Sequence, residues 1–146
     1  MKTSPIGLDL IKRFEGFSAL PYLCPAWILT IGYGHVLLPA ERANLLQVDD
    51  AMAQQLLITD VRFAEMAVRR YIHHPLSQNQ FDALVSFTFN VGAGALQRSS
   101  LRRVINRADE EAIARQWMRW VWGGGRKLNG LARRRAAELA LFSCSP

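Results

Sequence analysis

Three side chains near the N-terminus have the types and spacing for acid–base chemistry: Glu15, Cys24 nine residues on, and Thr30 six further. Glu15 precedes Gly16, a residue that commonly stops a helix. Its carboxyl would then sit at the negative end of that helix, where the macrodipole disfavours the charged form. Packing under Phe14, Phe17 and Tyr22 would act the same way by removing water. A carboxyl group that still holds its proton is what a general acid needs; a solvated glutamate at a helix end is the competing reading. Cys24, between Leu23 and Pro25, also reads as a small buried hydrophobe, and Thr30 as an ordinary strand residue. Their context adds weight, because Thr30-Ile31-Gly32-Tyr33-Gly34-His35 places two glycines and a histidine where a chain folds tightly around a cleft. His35 itself reads either as a brace for the turn or as a participant. No cluster of His, Cys and acidic residues has metal-ligand spacing, no Gly-rich phosphate loop is present, and Ser99-Ser100 lacks a triad context. No metal and no cofactor are expected.

The elements that must position these groups are legible in outline. Ser4 and Pro5 suit an N-cap and first helical residue, with Leu10, Ile11 and Phe14 on one face, so a helix is expected over residues 4–15. From Tyr22 to His35, Pro, aromatic and β-branched residues predict a small β-hairpin region. Helical text returns near Asp49 or Asp50, and a longer helix is expected from Thr59 until His74-Pro75 ends it. Ser77 with Gln80 has capping-box spacing, leading into Phe81–Asn90, which is apolar on most sides and reads as the central buried helix. That helix should end near Gly92 and Gly94. Shorter helices are expected around 100–106, 109–120 and 131–142. Trp117, Trp120 and Trp122 read as packing residues, one of which could line a ligand subsite.

The chain has 146 residues, half of them hydrophobic and 21% charged, which suits one folded domain and argues against disorder. Residues 17–40 hold no Asp, Glu, Lys or Arg, yet their prolines, glycines and polar residues exclude a membrane-spanning helix. Asp9, Lys12 and Arg13 interrupt the N-terminus, so no export signal is expected. Two cysteines cannot build a disulfide framework, and two free thiols are expected. The net charge of +6 is uneven: residues 1–73 carry 7 basic and 7 acidic side chains, residues 74–146 carry 11 and 5. A basic half attracts polyanions, whether nucleic acid, anionic lipid or a charged wall polymer.

Taken together, Glu15-Gly16, Tyr22, Cys24 and Thr30-Ile31-Gly32-Tyr33-Gly34-His35 resemble the phage endolysins of glycoside hydrolase family 24, related to the lysozymes of T-even phages. That family has Glu-Gly, Tyr at plus seven, Asp at plus nine, Thr at plus fifteen, then Ile-Gly-x-Gly-His. The blocks Gln80–Gly92 and Gly130-Leu131-x-x-Arg134-Arg135-x-x-Glu138 resemble it too, so the likeness spans nearly the whole chain. Cys24 replaces the Asp, an exchange found in a subset of these endolysins. Trp27 stands where the family tends to have glycine, so the turn before Thr30 is expected to be built differently, and Val36 stands where many members have Thr.

The resemblance implies an α+β, mainly α, lysozyme-like fold of two lobes: a β-containing lobe over about 16–58, a connecting helix over about 59–74, and a helical lobe over about 75–146 packed with helix 4–15. It implies a muramidase that cuts the β-1,4 bond between N-acetylmuramic acid and N-acetylglucosamine in peptidoglycan. Glu15 would be the general acid, with Thr30 and Cys24 placing water for an inverting reaction. Tyr33, His35 and Val36, with Phe89, Asn90 and Ser100 of the helical lobe, would bind substrate. Arg134 or Arg135 would pair with Glu138 or reach the cleft. A monomer is expected in the host cytoplasm, reaching the wall after a separate holin-type pore opens the membrane, with the basic half adsorbing to anionic envelope polymers. Two rivals remain: a lytic transglycosylase leaving anhydro-muramyl ends, and a basic nucleic-acid-binding module using the arginines between Arg98 and Arg135 with the tryptophans.

Overall fold

Ser4 opens the first helix by two routes. Its hydroxyl accepts the Gly7 N–H at 3.4 Å and itself donates to Asp82. The helix, α1, spans Pro5–Glu15 and ends where Gly16 N–H donates to the Lys12 carbonyl at 2.9 Å. The computed structural model describes residues 1–145, which contain seven helices and five short strands. The chain divides into two compact units: Met1–Leu10 with the residues from Phe63 onward, and Ile11–Arg62. The division falls inside α1 and inside α2, Asp50–Tyr71.

In the Ile11–Arg62 unit the expected hairpin is a three-stranded antiparallel sheet in the order β1-β2-β3: Ser18–Leu23, Leu29–Gly32 and His35–Val36. Tyr22 pairs with Thr30 and Thr30 with Val36, so the three side chains share one face. The register of β1 is irregular between Ser18 and Tyr22, where Pro21 has no N–H to offer the ladder. Ile31, Leu37, Val48 and Ala53 form the buried core, flanked by Leu29, Tyr33, Leu45 and Leu56. The β1–β2 turn is closed by Cys24 N–H on the Ile28 carbonyl at 3.0 Å and Trp27 N–H on the Cys24 carbonyl at 2.8 Å. Trp27 has φ of 60°, a left-handed conformation that costs a residue with a Cβ roughly 1–2 kcal/mol. Helix α2 starts at Asp50 and runs unbroken, so the helical text at Asp50 and the helix expected from Thr59 are one element. Asp49 caps it, accepting Met52 N–H at 2.8 Å.

In the other unit, α3, Gln78–Val91, has the expected capping box: Ser77 Oγ accepts Gln80 N–H, and Gln80 Oε1 accepts Ser77 N–H. Phe81 through Thr88 are all buried, and α7, Asn129–Ser143, packs along this helix. Between α3 and α7 lie α4 (Ala93–Arg98), α5 (Ser100–Asn106), α6 (Glu110–Trp117) and a two-stranded ribbon of β4 (Trp122–Gly123) and β5 (Arg126–Lys127). Trp117 is fully buried, edge-on to Phe87 and Phe142, and Trp120 also meets Phe87 edge-on. Among the described residues no helix is long and apolar enough to cross a membrane.

Candidate active site

Helix α1 delivers Glu15 as its last residue, and the turn between β2 and β3 meets it. A Cβ built on Gly34 would lie 2.8 Å from Glu15 Oε2 and 3.3 Å from its Cδ, so the carboxyl rests against bare backbone. Gly34 also has φ of 75°, which glycine alone adopts without strain. One position thus needs glycine for two reasons, and the close approach of the carboxyl puts Glu15 beside the Thr30–His35 segment.

Cys24 and Thr30 are joined by the turn and ladder just described. Thr30 is buried, with Oγ1 2.9 Å from the Ile28 carbonyl; its one hydrogen can go there or to the Cys24 sulfur. The Ile28 amide above all, then the Ala26 amide and the Thr30 hydroxyl, hold the half-buried Cys24 thiol below its ordinary range, against a smaller opposing effect of desolvation. Burial chiefly, and then the charges of Glu15 and Cys24, push the Tyr22 hydroxyl above its usual range. Tyr22 therefore feels both groups. Glu15 at the end of α1 and Cys24 in the β1–β2 turn thus meet through Tyr22, whose ladder partner is Thr30.

Tyr33, His35 and Val36 belong to the same unit in different ways. Tyr33 donates its hydroxyl to Asp50, with Phe17 at a centroid distance of 5.5 Å and Lys12 Nζ 5.6 Å above its ring. Val36 is exposed beside Thr30. His35 is buried with Nδ1 2.8 Å from Asp60 and Nε2 3.0 Å from Glu41. Desolvation opposes its positive charge, yet the two carboxylates prevail and raise its pKa. Both nitrogens are thus engaged in bracing β3. Asp60, Glu41 and Asp50 are the residues that sequence reasoning missed here. Only Glu41, six positions from His35, offered a local signal, since acidic partners 25 and 17 positions away leave no spacing to read.

Phe89, Asn90 and Ser100 lie in the other unit. Phe89 is half-buried and Asn90 exposed at the end of α3, where Asn90 Oδ1 accepts Arg135 Nη2 at 2.7 Å. Ser100 accepts Arg103 Nη2 at 3.1 Å. Beneath them Glu138, fully buried, accepts Ser86 Oγ at 2.8 Å, Trp117 Nε1 at 3.1 Å and both Arg134 and Arg135. Burial pushes the Arg135 guanidinium down to about 10, with Glu138 opposing the shift. This resolves the expected pairing: both arginines meet Glu138. Among the described residues no three His, Cys, Asp or Glu are placed to hold a metal ion, and Cys24 and Cys144 are free thiols.

An acid at a helix end lies in one compact unit with a hydroxyl–thiol pair at a small sheet, groups of the types that acid-assisted hydrolysis uses. Known proteins share the whole frame. The model of the phage lysozyme family matches residues 12–138. The endolysin of Bacillus phage PZA is 39% identical over 98% of the chain, and that of Bacillus phage B103 is 36% identical over 97%. The chain spans about half the length of these two curated relatives, 55% and 54%. Among solved structures, the muramidase domain of SpmX from Asticaccaulis excentricus superposes with a TM-score of 0.89 at 37% identity, covering 99% of both chains. With a family model matching most of its length, this chain belongs to the phage lysozyme family.

Proposed function

We propose that this chain is a muramidase acting on peptidoglycan, hydrolysing the β-1,4 bond between N-acetylmuramic acid and N-acetylglucosamine. The observation that carries this reading is the seat of Glu15 against the Gly34 backbone, in one unit with the Cys24–Thr30 pair. Glu15 gives its proton to the glycosidic oxygen as the bond to the anomeric carbon breaks. Water held by Thr30 and Cys24 attacks that carbon from the opposite face, and its proton leaves through Cys24. Tyr33 and Val36, with Phe89, Asn90 and Ser100, are proposed as substrate contacts, and His35 as a contact that also fixes β3. The experiment is Glu15→Gln, which keeps the shape and removes the proton. Cleavage should fall about a thousandfold or more while thermal unfolding stays close to that of the wild type. A variant that still clears cell walls would refute the assignment.

A second reading has its own observation. The depressed Cys24 thiol makes a thiolate available at lower pH than a free cysteine would. That would suit attack on the anomeric carbon, with a thioglycosyl intermediate later hydrolysed and the anomer retained. Mass spectrometry of denatured, substrate-quenched protein distinguishes the two by the presence of a glycosyl adduct on Cys24. Beyond the reaction, we propose that a monomer works with a separate holin-type pore, from the host cytoplasm, and that the basic residues between Arg98 and Arg135 adsorb to anionic envelope polymers.

A further inference from the structure

Trp27 sits in its turn against two physical preferences at once. Its φ of 60° lies in the left-handed region, where side chains with a Cβ are disfavoured and bulky ones are rare. Its indole is 81% exposed, more than any other large hydrophobic side chain among the described residues. The turn itself uses only the backbone of this residue, whose N–H donates to the Cys24 carbonyl at 2.8 Å. Glycine would make the same bond without strain. A strained backbone that presents a large apolar surface to water serves neither folding nor solubility, and such outliers gather where a ligand is handled.

The position of the ring says what that ligand is. The turn joins the strand bearing Tyr22 to the strand bearing Thr30, and the Trp27 backbone N–H donates to the Cys24 carbonyl, so the residue is anchored through its backbone beside the proposed reaction centre. Leu23, Pro25, Ala26 and Ile28 around it are exposed, and residues 17–40 contain no Asp, Glu, Lys or Arg. The tip therefore offers a flat apolar face and no counter-charge, which suits the face of a neutral pyranose ring lined with axial C–H groups. A lipid anchor would need exposed apolar area but no backbone tie to Cys24.

We infer that Trp27 is a stacking platform for an N-acetylated sugar ring of the glycan strand, setting where the strand lies relative to Cys24 and Thr30. This rests on the muramidase reading and adds a substrate-orienting residue to it. Three variants separate the platform from a structural role. Trp27→Gly relieves the backbone and should raise Tm by about 2 °C, yet KM on uncross-linked glycan strands should rise about fivefold to tenfold with kcat within about twofold. Trp27→Ala keeps the strain, so its KM should rise as far with no gain in Tm. Trp27→Tyr should restore KM. In a Glu15→Gln background, N-acetylglucosamine oligomers should blue-shift the tryptophan fluorescence, and the shift should vanish on adding Trp27→Gly. Unchanged KM and fluorescence in Trp27→Gly would overturn the inference, as would a loss confined to binding of anionic phospholipid vesicles. A wild-type protein that fails to cleave would instead contradict the muramidase reading, while the fluorescence titration still decides the stacking.

Discussion

At the scale of residues, the proposed chemistry divides between an acid and a water-positioning pair. Cys24 is the less obvious member, because an ordinary thiol is almost wholly protonated at neutral pH and is a weak base. The turn changes that: the amides of Ile28 and Ala26 and the Thr30 hydroxyl favour the thiolate. Cys24→Asp should therefore stay active, since a carboxylate can accept from the same donors and orient the same water. Cys24→Ala should lose about tenfold to a hundredfold in kcat. Steady-state rates on purified walls check both, and a Cys24→Ala protein with the wild-type kcat would remove Cys24 from the mechanism.

At the scale of elements, α3 and α7 are joined through one buried anion. Glu138 is surrounded by Arg134, Arg135, Ser86 and Trp117, and burial already weakens the hold of Arg135 on its proton. Glu138→Gln keeps the volume but leaves two buried guanidiniums short of a counter-charge, which should cost about 3–5 kcal/mol. Denaturant unfolding measures it; a loss below about 1 kcal/mol would mean that the arginines find other partners. The elements also show what a sequence can disclose. The Ser77–Gln80 capping box and the Ser4-Pro5 start were legible because caps are local. The spacing of Glu15, Cys24 and Thr30 could be read because the three proposed groups fall within 16 consecutive residues, at a helix end and in a hairpin. Helix α4 was missed, since Gly92 ends α3 and immediately precedes α4, so two helices share one breaker. The β4–β5 ribbon was missed although Gly124-Gly125, both with positive φ, is a hairpin signal; strands of two residues leave no alternation to read. The carboxylates around His35 arrive from α2 and a loop, and only the folded chain brings them there.

At the scale of the whole molecule, charge and chemistry are unequally shared along the chain. Between Arg98 and Arg135 there are 11 basic and 3 acidic residues, whereas the proposed acid and water-positioning pair lie within residues 15–30. If the basic stretch serves adsorption to an anionic envelope, activity on whole walls should fall with added salt more steeply than activity on a soluble oligosaccharide. Parallel rate measurements over a salt series test this, and equal slopes for the two substrates would contradict it. Neither slope reaches the central claim, which is that Glu15 protonates the leaving oxygen while Cys24 and Thr30 deliver water from the far side. The measurement that does is the configuration of the N-acetylmuramic acid end first released from a β-1,4 glycan, followed by proton NMR before mutarotation. Water delivered from the far side should release the α-anomer with a free reducing end. A β-anomer would replace water delivery with a covalent step at Cys24, and a 1,6-anhydro end would show that water does not enter the reaction at all.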